Sequence, residues 1–271
     1  MLRFPFCGRG LLSLLFVMSF VFGARGALAT DLNLIVQPIL PPAKVKEAYE
    51  PLVKYLRDKT GLNIQLITSH NFLTYWETMK RGGKYDLILD GPHFTDFRTK
   101  RMGYKVLAKL KDYVSYSVVT REDLLILKME ELLGKKIATT PSPSQAALRL
   151  NQLFPHITRQ PRIIGTADSL ASIQMVLDKR ADAAIVPSPL VRDYPKLNTA
   201  VTLESVPHMA LSAARTIPLK AQQAIQKALI EAHTTPEGAA MLGQINHSGF
   251  ETASAKTYDG YAQLLEGVWG Y

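Results

Sequence analysis

Cysteine is nearly absent from this 271-residue sequence, since the only one, Cys7, lies close to the N terminus. Behind it, Leu11 to Phe22 form a nearly unbroken apolar run, shorter than the roughly 20 residues that a membrane-spanning helix needs. Arg3 and Arg9 precede this run, and Ala27-Leu28-Ala29 follows it with the small residues of a cleavage site. The arrangement predicts a secretory signal peptide, residues 1–29, that is removed after export.

The exported chain would contain no cysteine, which excludes disulfides, thiol catalysis and thiolate metal sites. Because Cys7 lies ahead of the apolar run and not at the cleavage point, it cannot carry a lipid anchor on the mature protein. We therefore expect a soluble exported protein. Its 47% content of hydrophobic residues is enough for one large domain or two lobes.

Signatures of common enzymes and metal sites are absent as well. The sequence has no GxSxG elbow, HExxH motif, P-loop or dinucleotide fingerprint. Its six histidines include no HxH or HxxxH pair. A hydrolase built on Ser142 or Ser144 would need a histidine and a carboxylate nearby, and the sequence places neither. We expect no enzymatic activity, no metal and no cofactor.

Basic residues outnumber acidic ones, 32 to 23, which gives a formal net charge of +9. Removal of the signal peptide takes away three arginines and no acid, so the mature charge is about +6. No cluster of lysine and arginine with interleaved aromatic residues is present, which argues against nucleic-acid binding. A solvated basic surface is the simpler interpretation.

Strand and helix patterns alternate along the exported chain, which predicts an α/β fold. Leu32 to Val36, Leu62 to Thr68 and Tyr85 to Leu89 read as strands, and the segments between them have helical periodicity. Two successive strand-helix-strand units imply parallel strands. Ligands of such sheets bind beyond the carboxyl ends of the strands. Gln37, which follows the first strand, is therefore a candidate ligand-binding residue.

The richest candidate site is the segment from Thr139 to Gln145. It follows an apolar strand and precedes a helical pattern, so it reads as strand, loop and helix start. The first turn of a helix offers unpaired N–H groups and a partial positive charge, which suits an oxyanion. Four hydroxyls crowd this point: Thr139, Thr140, Ser142 and Ser144. Alternatively, Ser142 or Ser144 is only an N-cap, and the prolines only shape the turn.

The segment Asp90-Gly91-Pro92-His93 follows the third predicted strand. Glycine permits a tight turn there, and proline suits the first position of a helix. Asp90 would repel a dianion at the cleft edge or meet an ammonium group, or else it caps the helix that begins at Pro92. His93 is either a ligand-binding residue or a cap or surface residue. Tyr116, on a later strand, lines the cleft or belongs to the core.

Several segments in a fixed order carry a family resemblance. They are Tyr49 to Leu56 with Gly61, Tyr85-Asp86-Leu87 running to Gly91-Pro92, Leu133 to Ala138, Ser172 to Leu177, Ala181-Asp182-Ala183, Thr235 to Gly238, Ser248-Gly249-Phe250, and Tyr258 or Tyr261. The resemblance that they carry extends over nearly all of residues 32–265. In this order they resemble the phosphate/phosphite/phosphonate-type substrate-binding proteins of ABC transporters.

The resemblance implies a type II periplasmic binding protein, with two α/β lobes joined by two crossing strands and a ligand cleft between them. Lobe one would hold residues 30–114 and 208–271, and lobe two residues 115–207. The crossings would lie near Val114 to Thr120 and near Pro207 to Ala213. The loop from Thr139 matches the family's anion-holding helix start, and Gly91-Pro92 matches its contact from lobe one.

Two positions depart from the phosphonate-binding pattern of that family. Ser169 stands where a histidine is usual, and Ser188 lies where an acidic residue is often found. Both remain candidate ligand-binding residues. The departures leave the ligand open between a phosphonate, phosphite, phosphate or similar oxyanion and another small organic solute.

Two roles fit this resemblance. A monomeric periplasmic protein would deliver a small, anionic solute to an ABC transporter permease. Alternatively, the loaded protein would dock on the periplasmic domain of a membrane sensor kinase. The sequence does not separate the two.

Overall fold

The computed structural model describes residues 31–83, 85–156, 158–268 and 271. The predicted signal peptide lies outside these ranges. Within them, no helix combines the length and the apolar character that crossing a bilayer requires.

The described chain alternates strands and helices. The strands are β1 (Asp31–Val36), β2 (Asn63–Ile67), β3 (Leu87–Asp90), β4 (Lys105–Leu110), β5 (Tyr113–Val114), β6 (Tyr116–Arg121), β7 (Lys136–Thr139), β8 (Arg162–Gly165), β9 (Ala183–Pro187), β10 (Leu197–Thr202), β11 (Val206–Pro207), β12 (Ala210–Ala213) and β13 (Phe250–Glu251). The α-helices are α1 (Pro42–Thr60), α2 (Phe72–Lys80), α3 (Pro92–Arg101), α4 (Gln145–Leu153), α5 (Ser169–Leu177), α6 (Ser188–Val191), α7 (Leu219–Ile230) and α8 (Pro236–Gln244). Short 3₁₀ helices cover Met129–Leu132, Ala232–Thr234, Ala255–Tyr258 and Tyr261–Leu265.

Two sheets organise the molecule. The first has the order β13-β4-β12-β3-β1-β2, and the second has the order β10-β6-β9-β7-β8. Strands β1, β2 and β3 run parallel, as predicted, and so do β7, β8 and β9. Strand β12 lies antiparallel between β3 and β4, so the chain returns to the first sheet after it has built the second. We call the first sheet and its helices lobe one, and the second sheet with α4 to α6 lobe two.

A short antiparallel ribbon joins the lobes. Val114 of β5 pairs with Val206 of β11, and Tyr113 pairs with Pro207. The extended chain from Tyr113 to Arg121 is thus divided at Ser115, and its second part, β6, belongs to the sheet of lobe two. The predicted lobe boundaries lie after residues 114 and 207, where the two ribbon strands end. The assignment of these residues as domain boundaries stays a prediction.

Helix α1 shows how local sequence sets these elements. Its apolar residues recur at helical spacing and are buried, among them Val45, Leu52 and Leu56. Pro42 begins the helix, where its missing N–H has no partner to lose. Gly61 ends it with a left-handed φ of 68°, a conformation that glycine adopts without steric cost.

Each lobe has its own apolar core, but one side chain of lobe two is buried in a core of lobe one. Leu148, on α4 of lobe two, is buried in a lobe-one cluster that contains Phe72, Trp76, Phe94 and Leu265. The lobes are therefore in apolar contact with each other.

Two glycines in α8, Gly238 and Gly243, offer a matched test of how this helix packs against its neighbours. A Cβ on Gly238 would lie 2.1 Å from the carbonyl oxygen of Ala232, whereas a Cβ on Gly243 would meet no atom within 4 Å. We expect Gly238→Ala to lower the free energy of unfolding by about 1–3 kcal/mol, the usual cost of overpacking. Gly243→Ala should raise it by about 0.5–1 kcal/mol, because alanine loses less backbone entropy in a helix. Urea unfolding measures both, and equal effects of the two substitutions would contradict the α8 packing.

Candidate functional site

A cavity of about 540 Å³ lies between the lobes. It opens beyond the carboxyl ends of strands in both sheets, because Gln37 follows β1, Gly91 follows β3 and Pro187 ends β9. The ribbon residues Tyr113 and Val114 lie along it. This is the position where ligands bind in open α/β sheets.

The polar end of the cavity is built around Gly91. Its N–H donates a hydrogen bond to Oε1 of Gln37 over 3.0 Å. A Cβ at this position would lie 3.2 Å from Oε1 of Gln145 and 3.3 Å from Oε1 of Gln37. Glycine therefore allows an amide side chain from each lobe to approach the backbone at this position closely.

Two helices begin at this end of the cavity, one from each lobe. Helix α3 begins at Pro92, and α4 begins at Gln145. The N terminus of a helix carries roughly half a positive charge. The paired helix starts therefore create a positive potential where Gln37, Gly91 and Gln145 line the cavity.

Gln145 ends the segment that the sequence marked as a candidate site, but it was not among the residues predicted to bind the ligand. Its side chain is 3% exposed, and its Nε2 has no hydrogen-bond partner among the described residues. An unpaired buried donor is costly, so an acceptor from a ligand would stabilise it. Its place directly after the N-cap Ser144 is the sequence signal that marks it.

His93 joins the lobes. Its Nε2 is 3.0 Å from the carbonyl oxygen of Pro143, so this nitrogen carries the proton and donates. Burial lowers the pKa of His93 to about 3, which keeps the ring neutral. His93 does not line the cavity and instead sets the separation of α3 and α4.

A second hydrogen bond between the lobes involves Ser169. The N–H of Ser169 donates to the carbonyl oxygen of Ile39 over 3.1 Å. The side chain of Ser169 is buried and does not line the cavity. Its contribution is a backbone contact that connects the start of α5 to lobe one.

Asp90 is not placed at the cleft, in contrast to the sequence expectation. Its carboxylate is fully buried and forms an ion pair with Arg98, and it accepts hydrogen bonds from Tyr75 Oη at 2.7 Å and Thr95 Oγ1 at 3.1 Å. It does not cap α3 either, because the N-cap position is Gly91, with no side-chain hydrogen bond. Arg98 offsets the carboxylate charge inside lobe one.

The hydroxyl-rich loop is turned mostly inward. Ser144 is the N-cap of α4, where its Oγ accepts from the N–H of Ala147 and donates to the carbonyl of Thr140. Thr139 also donates to the Thr140 carbonyl, and both threonines are buried. Ser142 is exposed. None of the four lines the cavity, so the N-cap alternative describes Ser144 correctly.

Of the remaining residues predicted to bind a ligand, four line the cavity and Ser188 does not. Pro92 and Tyr116 line the cavity, as do Gln37 and Gly91. Tyr116 is buried, and this burial raises its pKa. Ser188 does not line the cavity, since its Oγ bonds to Ser115 at 2.8 Å and to Ser117 at 2.7 Å. It begins the short helix α6 and does not lie in a loop.

The ribbon end of the cavity contributes polar residues that the sequence did not single out. His208 and His247 lie with ring centroids 5.0 Å apart, and Asp112 accepts from Ser248 Oγ at 3.0 Å. Burial lowers the pKa of His208 to about 3, and it also lowers that of His247. Nδ1 of His208 accepts from the N–H of Met209 at 2.8 Å. Both rings are neutral at physiological pH.

Arg192 is the cation of the cavity wall. Its side chain is exposed, and Nε makes a 3.4 Å hydrogen bond to the carbonyl of Pro189. Within the described ranges Arg192 forms no ion pair with a carboxylate. Arg192 is therefore available to a ligand.

A family model described as ABC transporter, phosphonate, periplasmic substrate-binding protein matches residues 34–258. The chain belongs to this family. The resemblance drawn from the sequence motifs is thereby confirmed. Members of the family are periplasmic, bind a small-molecule solute and work with a transporter permease. No curated protein sequence matches the chain at a significant level.

Solved structures with the same architecture include three bacterial proteins. A binding protein component of an ABC phosphonate transporter from Pseudomonas aeruginosa is 13% identical, with a TM-score of 0.75 and coverage of 86% of this chain and 85% of its own. PhnD1 from Prochlorococcus marinus, in complex with methylphosphonate, is 12% identical, with a TM-score of 0.77 and coverage of 88% and 97%. XAC2383 from Xanthomonas citri, bound to ATP, is 13% identical, with a TM-score of 0.67 and coverage of 88% and 96%.

At these identities the three structures establish the fold alone. The predicted type II periplasmic binding protein, with two α/β lobes and two connecting strands, is confirmed. Methylphosphonate and ATP are ligands of the similar proteins, and the fold similarity does not transfer them to this chain.

The two buried histidines predict a specific pH dependence of stability. His93 and His208 have a folded pKa of about 3, against about 6.5 in an unfolded chain. The unfolded state therefore binds more protons between these values, and stability falls as pH drops from about 6.5 towards 3. Each histidine should contribute a slope of up to about 1.4 kcal/mol per pH unit.

Urea unfolding between pH 7 and pH 4 measures this slope. His93→Asn should flatten it relative to His233→Asn, which removes an exposed histidine and serves as the matched control. Identical slopes for the two variants would show that burial of His93 does not govern the pH dependence.

Proposed function

We propose that the protein captures a small anionic solute in the interlobe cavity and delivers it to the permease of an ABC transporter. The observation that carries this proposal is the meeting of two helix N termini, α3 and α4, around the unpartnered Nε2 of Gln145. Backbone dipoles and an unpaired donor both favour an oxyanion at that point.

Two further cavity residues, Arg192 and Gln37, also favour a negatively charged ligand. Arg192 has no carboxylate partner among the residues that the structure describes, and it lines the cavity together with Pro187. Gln37 orients Gly91 through the 3.0 Å hydrogen bond. We assign ligand binding to Gln37, Gly91, Pro92 and Tyr116 from the sequence prediction, and we add Gln145 and Arg192. The protein acts as a monomer and performs no chemistry on the solute.

Transport is favoured over docking on a sensor kinase. The matching family is described as an ABC transporter component, and the match covers residues 34–258, which include both lobes. Closure of two lobes on a ligand gives a permease a shape to recognise.

The charge preference of the site is tested in two steps, a ligand screen and then titration of the variant Gln145→Glu. In the first step, a thermal-shift screen of residues 30–271 with phosphate, phosphite, methylphosphonate, sulfate and alkanesulfonates identifies binding oxyanions. A ligand at 100 times its Kd should stabilise the protein by about 2.7 kcal/mol. The nearly isosteric Gln145→Glu should weaken the best oxyanion at least about tenfold in calorimetric titration, because a carboxylate would face its charge.

Gln152→Glu is the matched control, since it adds the same charge to an exposed position on α4. It should leave the affinity within about twofold, as expected for a screened surface charge. Binding of neutral solutes alone would refute the anionic ligand.

Gly91→Ala tests the close approach at the polar end. The φ of −74° at Gly91 suits alanine, so the backbone can accept the substitution. The added Cβ would displace the amides of Gln37 and Gln145 by a few tenths of an ångström. We expect affinity to fall about tenfold with little change in melting temperature, because positioned hydrogen bonds to a charged ligand contribute about 1.5–3 kcal/mol each. Unchanged affinity would place the ligand elsewhere in the cavity.

A further inference from the structure

The size of the cavity does not match a small inorganic oxyanion. At about 30 Å³ for each water-sized group, 540 Å³ holds about eighteen such groups. Phosphate or methylphosphonate has five heavy atoms and would leave most of this space unfilled. The volume instead falls in the range of sites for larger organic ligands.

Part of the cavity wall is apolar. Val45, Met209 and Ile245 line it and belong to the main core cluster of lobe one, and Ile39 and Leu40 line it and pack against the same cluster. Apolar walls without a partner lose their dispersion contacts. The wall therefore favours a ligand with apolar surface of its own.

The charge of the cavity is small. Arg192 and Asp112 are the charged side chains that line it within the described chain, and they cancel formally. The starts of α3 and α4 add roughly half a positive charge each. The net positive potential thus corresponds to about one charge, which suits a monoanion better than a dianion.

We propose that the solute is an amphiphilic monoanion, in which one oxyanion head group is joined to an apolar body of about six or more carbon atoms. The head group lies at Gln37, Gly91 and Gln145, and the apolar body lies along the wall formed by Ile39, Leu40 and Val45. This inference rests on the proposed function and narrows its substrate class.

An alkanesulfonate series tests the proposal, because sulfonates keep a single charge while the chain length varies. Calorimetric titration of the mature protein with methane-, butane- and hexanesulfonate should show affinity rising about three- to fourfold for each buried methylene. Hexanesulfonate, which has five more methylenes, should bind at least roughly two hundredfold more tightly than methanesulfonate. Hexanol, which lacks the head group, should bind at least about tenfold more weakly than hexanesulfonate, since it makes no charge-assisted hydrogen bond.

A matched pair of variants locates the apolar body. Ala48 is half-buried and lines the cavity, whereas Ala43 is exposed on the same helix. Ala48→Phe should fill the space and abolish the gain with chain length, whereas Ala43→Phe should preserve it. If Ala48→Phe fails to fold, the series on the unmodified protein still decides the question.

The outcomes separate this inference from the proposed function. Equal or tighter binding of methanesulfonate, phosphate or methylphosphonate relative to hexanesulfonate would overturn the amphiphilic ligand and leave anion binding intact. A complete absence of oxyanion binding at every chain length would overturn both.

Discussion

The hydrogen bond between His93 and the carbonyl of Pro143 is the contact on which the geometry of the site depends. It connects the first turn of α3 to the loop that leads into α4, and so it brings the two helix starts together. A neutral imidazole is sufficient for this contact, because the bond needs only the proton on Nε2. Burial enforces that neutral state.

The proposed anion site would recognise charge mainly through backbone dipoles and amides. Gln37, Gly91 and Gln145 carry no formal charge, yet they lie at the positive ends of two helices. Asp90 would oppose an anion from directly behind Gly91 if its charge were not offset. Its ion pair with Arg98 and its hydrogen bonds to Tyr75 and Thr95 hold that charge inside lobe one. The polar core of lobe one therefore keeps this carboxylate out of the cavity lining.

Features that depend on local sequence were predictable. Helix α1, with its proline start and glycine end, and the three parallel strands β1 to β3 follow from periodicity and turn chemistry. The division of the strand at Ser115 was not predictable, because it depends on the pairing of Val114 with Val206, far along the chain. His208 and His247 come together for the same nonlocal reason.

The hydroxyl-rich loop shows a different limit of sequence reasoning. The number of hydroxyls between Thr139 and Ser144 marked a real helix start, but it did not reveal their direction. Ser144 satisfies the backbone of its own loop, and Gln145, one residue later, faces the cavity. Side-chain direction at a helix start depends on the cap geometry, which composition alone does not determine.

The burial of Leu148 in the core of the opposite lobe has a consequence for any motion that separates the lobes. Such a motion would expose this side chain to water at a cost of about 1.5–3 kcal/mol. Leu148 therefore stabilises the arrangement in which both lobes form the cavity, although it does not line the cavity itself.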